Sequence, residues 1–399
     1  MSSLTIPAIT PTTTYRITSI DLLRGLVMII MALDHTRDMY HVPAMTTDPL
    51  APLTTTPAIF FTRWITHFCA PAFVFLSGLS AYLSSQKKNP AAASWFLFKR
   101  GLWLIVVEMV VVSFGITFDY KFGFIIWQVI WAIGCSMIVL ALVRRLPNPW
   151  TLIIGCILFF GHDLINYVRP PQPGPGTNLT TVFFTAFNNI IFIDQKHLIG
   201  DFYAILPWTG IMLIGYGIGH WFRKEYSVEK RKSNLLYCGL FMIALFIILR
   251  FINEYGDPAP REHIEGWRSF LSFMNASKYP PSLIYCCMTL GPAFVFLALS
   301  ENIKGRWSQI VSVYGRVPFF YYILHFYILH TLLIIFFFAT GHKSSEIYGS
   351  FIGFRPIEFG YPLWIVYIIW LSVVASLYYP CKWFYKYKMS HGQWWLKYL

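Results

Sequence analysis

Stretches of about 20 mostly apolar residues recur along the whole chain, and they constrain its fold more than any other feature. A stretch of this length crosses the hydrocarbon core of a bilayer as an α-helix. Charged residues make up only 12% of the chain, well below the share typical of soluble proteins, so a membrane protein is indicated. We predict an all-α, polytopic membrane bundle of about ten transmembrane helices, at residues 18–40, 64–84, 97–118, 122–143, 150–167, 198–222, 234–252, 281–300, 316–340 and 361–380.

The Lys and Arg residues indicate the orientation of these helices. If the N-terminus is cytoplasmic, every connection on that side carries basic residues, such as Lys87 and Arg223, whereas the longer connections on the other side carry fewer. This asymmetry follows the positive-inside rule. We therefore predict a cytoplasmic tail at 1–17, a membrane domain at 18–380 and a basic cytoplasmic tail at 381–399. Because the N-terminal residues include no basic n-region, the first helix is expected to remain as an uncleaved anchor.

Charge and cysteine patterns exclude several other classes of protein. The net charge of +13 is spread between apolar stretches and forms no basic tract, so no nucleic-acid partner is expected. The seven cysteines are odd in number and lack a C-x-x-C motif, which argues against a disulfide framework and a zinc site. No spacing of His, Cys, Asp and Glu is typical of metal ligands, so we predict no metal.

The first predicted helix carries ionisable residues at both ends. Arg24 and His35 are eleven positions apart, which places them on one face of a helix, about 16 Å apart along its axis. An arginine inside an apolar helix costs about 2.5–3.5 kcal/mol on insertion scales, and Asp21, one turn earlier, is its expected partner. At the other end, Asp38 follows His35 by three positions and is expected to orient the imidazole ring.

Most histidines and several other ionisable residues are predicted near the outer membrane surface, where polar groups usually line a cavity. Asp34 and Asp38 are like charges four positions apart, and they are either cavity groups or a solvated helix end. His41 is a surface residue or a second catalytic histidine, and His67 either packs or contacts a ligand. His325 and His330 are 140° apart around a helix, so only one can face the cavity centre. The predicted catalytic residues are His35, Asp38, His41 and His67, and the predicted cavity residues are Asp34, Arg63, Lys278 and His330.

Longer motifs resemble known membrane acyltransferases. The Arg24-x10-His35 pattern resembles the signature of the membrane acyltransferase superfamily. Further stretches resemble bacterial relatives of the heparan-α-glucosaminide N-acetyltransferase catalytic domain. These stretches are Ser19–Gly25, Pro71–Gly78, Leu206–Met212 with Gly215–Gly217, Asn275–Ser282 and Gly315–Tyr322.

The resemblance implies a multipass acyltransferase of the bacterial cytoplasmic membrane that takes an acyl group, expected to be acetyl, from acetyl-CoA. Arg24 and Asp21 would then belong to the donor site, and the acyl acceptor would be a glycan, amino sugar or lipid-linked saccharide at the outer face. In the lysosomal enzymes the position matching His35 is typically Asn, and the essential histidine lies in the following loop. Here that loop has only His41. This departure favours His35 as the reactive group and argues against heparan as the acceptor.

Two other functions use the same residues. A transporter or proton-coupled carrier would use the intramembrane Arg, Asp and His side chains as a relay. The ionisable groups, however, cluster near one surface, and the chain has no clear inverted repeat. A structural protein of envelope assembly would need no reactive histidine, so His35→Ala would be silent. Whatever the function, membrane lipids and a second copy of the chain are further expected partners.

Overall fold

The computed structural model describes residues 16–168, 181–186, 189–347 and 353–398. The chain is mostly helical throughout these ranges, and its main helices run along one another as a bundle. The helices are α1 Thr18–Tyr40, α2 Pro57–Thr66, α3 Cys69–Ser85, α4 Pro90–Val107, α5 Ser113–Thr117, α6 Val129–Val143, α7 Asn148–Gly161, α8 Ile165–Val168, α9 Ile205–Gly217, α10 Val228–Ile252, α11 Arg268–Met274, α12 Leu283–Ser300, α13 Arg306–Arg316, α14 Pro318–Ala339 and α15 Leu363–Ser390.

Six helical segments in the described residues are long and apolar enough to span a membrane: Pro57–Ser85, Pro90–Thr117, Val228–Ile252, Leu283–Ser300, Pro318–Ala339 and Leu363–Ser390. Two shorter apolar helices, α6 and α7, lie at two other predicted positions, and α1 and α9 lie at the remaining two. The all-α membrane bundle is thus confirmed. The predicted sidedness of the two termini remains a prediction, and residues 1–15 lie outside the described ranges.

Helix α1 is the central element of the bundle. It packs against α2, α3, α12, α13, α14 and α15, and most of its side chains are buried around its whole circumference. A helix enclosed in this way has no apolar stripe facing a single neighbour. Its polar residues therefore face other protein groups, and this placement makes α1 the axis of the candidate site.

Some predicted helices differ in detail from the observed ones. The predicted helix 64–84 is two helices, α2 and α3, separated at His67 and Phe68, with Pro71 in the first turn of α3. Thr56 caps α2 by accepting the amide N–H of Ile59 at 3.4 Å, and proline at the first helical position suits this start.

Three short strands replace helix where apolar sequence alone suggested a span. They are β1 Phe124–Trp127, β2 Asn189–Phe192 and β3 Leu198–Asp201, in the order β1-β3-β2. Strand β1 pairs in parallel with β3, and β2 pairs with it antiparallel. The predicted helices 122–143 and 198–222 therefore begin later, in α6 and α9. Residues 178–193 are apolar but contain two adjacent asparagines, so the sequence is compatible with a re-entrant or interfacial helix or with a span; the described part of this segment ends in β2. The Pro-rich residues 170–176, which predict a turn-rich linker, lie outside the described residues.

The C-terminal helix is longer than predicted. Helix α15 continues through Pro380 to Ser390, so the predicted boundary between the membrane domain and the tail at 380 falls inside a helix. A proline removes one backbone donor without ending the helix when the surrounding structure supports it. The amphipathic helix α13 was also not predicted, because its polar residues interrupt the apolar pattern that marks a spanning helix.

Helices α1 and α13 cross with their backbones in contact. A Cβ atom added at Gly315 would overlap the carbonyl oxygen of Asp21 and lie 2.7 Å from the amide nitrogen of Gly25. A Cβ atom at Gly25 would likewise overlap the carbonyl oxygen of Val311. Small residues allow such close helix packing in membranes. The crossing fixes α13 beside the end of α1 that carries Arg24.

We expect Gly315→Ala to lower the free energy of unfolding by about 1–3 kcal/mol, because backbone atoms on α1 cannot give way as a flexible side chain would. Unfolding in mixed micelles measures this change. Gly392→Ala is the matched control, since a Cβ atom there meets nothing within 4 Å. Equal stability of the two variants would contradict the close crossing.

Candidate functional site

A cleft lined by basic side chains surrounds the Arg24 end of α1. It has a volume of about 790 Å³, and we call it the basic cleft. Residues from several connections predicted on the cytoplasmic side meet here. The ionisable groups that line the cleft are Arg16, Asp21, Arg24, Lys87, Arg223, Lys224 and Glu225.

Arg24 is held in this cleft by contacts with three neighbours. Its guanidinium donates to the hydroxyl oxygen of Ser80 at 2.8 Å and to the carbonyl oxygen of Gly315 at 3.2 Å. The carboxylate of Asp21 lies 3.8 Å away, as expected from the helical spacing, and it also forms an ion pair with Arg16. Asp21 therefore serves several cations, and the cleft has an excess of positive charge.

A narrow cavity of about 100 Å³ continues from Arg24 along α1. We call it the apolar cavity because, apart from Arg24 and Arg100, its walls are mostly apolar. Met28 of α1 and Leu104 of α4 line it, and its far end reaches Tyr322 of α14. The ring of Tyr322 lies 6.4 Å from the ring of His35, edge to face. On α1 the apolar cavity is lined by Arg24 and Met28, and Tyr322 connects its lining to the surroundings of His35.

His35 pairs with a second histidine. Its Nδ1 atom lies 2.6 Å from Nε2 of His325, and the two rings are stacked with centroids 5.0 Å apart. The Nδ1 atom of His325 lies 3.2 Å from the carbonyl oxygen of Tyr321, which can only accept a hydrogen bond. This network assigns N–H to Nδ1 in both neutral rings, so Nε2 of His35 carries a lone pair.

The partner of His35 differs from the predicted one. Asp38, expected to orient the imidazole, forms an ion pair with Arg37 instead, and His325 takes the orienting position. The reason is tertiary: α14 packs along α1 and brings His325 to the ring nitrogen. The expectation that His325 and His330 do not share one position agrees with this arrangement, since His325 contacts the ring of His35, whereas His330 lines a cavity that His325 does not line.

That cavity, here the histidine cavity, has a volume of about 150 Å³ at the far end of α1 from the basic cleft. Its polar lining residues are His35, Asp38, Gln128, His330 and Arg355. The guanidinium of Arg355 donates to the carbonyl oxygens of Asp38 at 2.9 Å and His41 at 3.2 Å. Burial lowers the pKa of Arg355 to about 10, so it remains a cation at neutral pH.

Three of the predicted cavity residues form a charged group beside His35. Asp34 forms ion pairs with Arg63 and, at 3.5 Å, with Arg37, and Lys278 is close enough to interact with it electrostatically. Asp34, Arg37 and Arg63 are largely shielded from solvent. We call Asp34, Arg37, Arg63 and Lys278 the charged cluster. A carboxylate placed between cations in this way stabilises all of them.

The remaining predicted histidines have different surroundings. His67 is fully buried near the charged cluster, with its ring 5.3 Å from the ring of Tyr285, and its ring nitrogens have no hydrogen-bond partner in the described part of the chain. His330 stacks on Phe118 with centroids 4.2 Å apart. His41 lies beyond the end of α1 and is buried. Burial lowers the pKa of His41, and the cations of Arg37 and Arg355 lower it further, so the ring is neutral at pH 7.

Sequence reasoning missed several residues of this site. His325 and Arg355 are distant in sequence from His35, and only the packing of α14 and of residues 353–362 brings them close. Glu108 had a visible signal, since it is an isolated acidic residue in an apolar stretch, and such residues usually have a function or a partner. In the described residues, no group of three His, Cys, Asp or Glu side chains converges as metal ligands would.

Taken together, the fold and the site define a multipass membrane protein with a basic cleft and a histidine pair at opposite ends of one central helix. Residues 16–249 match the family model described as heparan-alpha-glucosaminide N-acetyltransferase, catalytic. This match covers more than half of the chain, so the protein belongs to that family. It has the membrane acetyltransferase-like function of the family, which is acyl transfer in general terms. No curated protein matches the chain.

Proposed function

We propose that this protein transfers an acetyl group from acetyl-CoA to a saccharide or lipid-linked saccharide at the opposite membrane surface. The observation that carries the proposal is the alignment along α1 of a basic cleft, a narrow apolar cavity and an imidazole with a free Nε2 atom. Phosphates of the donor suit the cations of the cleft, and the thin arm of CoA suits the apolar cavity.

In this proposal His35 is the general base. Its Nε2 atom takes the proton from a hydroxyl or amine of the acyl acceptor, whose oxygen or nitrogen forms a bond to the carbonyl carbon of the thioester. The carbon–sulfur bond then breaks, and the departing sulfur takes the proton from Nε2. His325 accepts the Nδ1 hydrogen of His35 throughout and keeps Nε2 directed at the reacting atoms.

The ring of Tyr322 separates the apolar cavity from His35 and would rotate to let the thioester reach it. Arg355 is a buried cation at the histidine cavity, and it would attract a hydroxyl-rich or anionic acyl acceptor. The acceptor would enter from the side predicted to be outside the cytoplasm. These placements give the donor and the acceptor separate routes to one imidazole.

Donor binding tests the proposal directly. Acetyl-CoA is expected to bind the purified protein in lipid nanodiscs and raise its melting temperature. Arg24→Gln is expected to weaken this binding roughly 10- to 100-fold, because a charged hydrogen bond to phosphate is lost. Arg306→Gln, an exposed change on α13 outside the cleft lining, is the matched control and should bind like the wild type.

Two results would count against the proposal. If acetyl-CoA neither binds the wild-type protein nor stabilises it, the protein does not use this donor. If membranes that contain the protein accumulate a solute but transfer no labelled acetyl group to a saccharide fraction, a carrier is the better description.

A further inference from the structure

Glu108 is a buried acid whose hydrogen bonding is incomplete. It begins a π-helical turn, Glu108–Val112, that joins α4 to α5, and its side chain is fully buried. One carboxylate oxygen, Oε1, accepts the backbone N–H of Gln128 at 2.8 Å. The other, Oε2, has no hydrogen-bond partner among the described residues, nor does any of them form an ion pair with it. Turns of this kind are frequent at functional sites.

Glu108 lies on the chain between residues that line the apolar cavity and residues that line the histidine cavity, a position here called the junction. Along its own helical stretch, Leu104 lines the first cavity and Ile116 lines the second. The backbone segment that donates to Glu108 also borders both cavities: Val129 lines the apolar cavity, and Gln128 lines the histidine cavity. Two independent elements therefore place Glu108 at this junction.

Tyr322 provides a second unpaired polar group at the junction. Its hydroxyl is buried and has no hydrogen-bond partner in the described ranges. It interacts electrostatically with Glu108, and its ring lies 5.6 Å from the ring of His325. Buried polar groups without partners are rare because each one costs free energy. Each of the two groups has an oxygen that can accept and, when protonated, a hydrogen that can donate, so together they match a group that offers both a donor and an acceptor.

We propose that Glu108 and Tyr322 form the subsite for the amide group nearest the thioester of the donor, a step that rests on the proposed function. In acetyl-CoA this secondary amide is two carbon atoms from the sulfur. Its N–H would donate to Oε2 of Glu108, and its carbonyl would accept from the hydroxyl of Tyr322. Anchoring the arm there would hold the thioester carbonyl next to Nε2 of His35, since Tyr322 lies against that ring.

The subsite can be tested with a pair of donors. One is acetyl-CoA, and the other is the analogue in which this amide is an ester, so that an oxygen replaces the N–H group. The wild-type protein should prefer the amide by roughly 10- to 100-fold in kcat/KM, because the ester leaves Oε2 unpaired. Glu108→Gln keeps an oxygen for the N–H of Gln128 but presents NH2 to the ligand, and its preference should fall to about threefold or less.

Tyr322→Phe serves as the matched comparison. Both donors keep the carbonyl that Tyr322 would bind, so this change should lower kcat/KM for both by about tenfold and leave the preference intact. The melting temperature of each variant without donor shows that it is folded. A wild-type preference that persists in Glu108→Gln overturns the subsite, and so does a loss of activity in Glu108→Gln that is equal for the two donors. Absence of any acetyl-CoA binding to the wild type would instead refute the proposed function itself.

Discussion

His35→Ala is expected to lower kcat for acetyl transfer by about 100- to 10,000-fold, the usual contribution of a general base. The Kd for acetyl-CoA should change little, because the phosphates would bind in the basic cleft at the other end of α1. Labelled acetyl-CoA, supplied to membrane vesicles with a saccharide acceptor, measures the first quantity, and calorimetry on the purified protein measures the second. Undiminished transfer by His35→Ala would remove this residue from the mechanism.

Two substitutions of His325 distinguish its proposed role in orienting the ring of His35 from a role in packing alone. In His325→Gln the side-chain carbonyl can still accept the Nδ1 hydrogen of His35, whereas in His325→Met no comparable acceptor remains. We expect the Gln variant to keep most of the activity and the Met variant to lose kcat with an unchanged KM for acetyl-CoA. If the two variants are equally impaired while both remain folded, His325 does not act through a hydrogen bond to His35.

Asp34→Leu is expected to have the largest effect on stability, lowering the free energy of unfolding by about 3–5 kcal/mol. Among the described residues the carboxylate of Asp34 is the ion-pair partner of Arg63, so its removal leaves that buried guanidinium uncompensated, whereas Arg37 keeps its ion pair with Asp38. Unfolding by denaturing detergent, followed by circular dichroism, measures the change.

Removing Arg63 instead should lower the free energy of unfolding by a smaller amount. In Arg63→Met the carboxylate of Asp34 keeps Arg37 within 3.5 Å, so one ion pair survives. The combination of Asp34→Leu with Arg63→Met should recover part of the loss caused by Asp34→Leu alone, because one unpaired charge is removed. Additive losses in the double variant would show that the two side chains do not depend on each other.

The helices that best matched their prediction are those that a bilayer defines by length. The predicted ranges 18–40, 281–300 and 316–340 agree closely with α1, α12 and α14. Helices α12 and α14 are apolar over most of their length, and α1 has an apolar stretch between Arg24 and Asp34, so the pattern contains the information.

The short strands, the division between α2 and α3, and helix α13 were not predicted, because they depend on contacts between segments that are distant in sequence. Residues 124–127 are as apolar as the helix that follows them, and residues 198–201 begin with Leu198 and Ile199; both become strands because they pair with each other. The break between α2 and α3, at His67 and Phe68, is likewise too short to appear as a polar segment in the sequence. Helix α13 is stable through its contact with α1, and this contact depends on two glycines far apart in the sequence, Gly25 and Gly315.

Some features of the candidate site were predictable from the sequence, and others were not. Helical spacing alone predicted that Arg24 and His35 share a face of α1 and that Asp21 lies near Arg24, since both depend only on the geometry of one helix. The partner of His35, the ion pair between Asp34 and Arg63 and the junction at Glu108 required the packed bundle.

By itself, the sequence determined the class of the protein, the positions of the long apolar helices, and the helix that carries the ionisable residues. It could do so because the bilayer and the 3.6-residue turn act within single segments. Only the tertiary structure decided which groups come close: His325 in place of Asp38 at the imidazole, and Glu108 within electrostatic range of Tyr322. These contacts join residues from distant segments, and the packing of whole helices, which no local pattern encodes, sets their geometry.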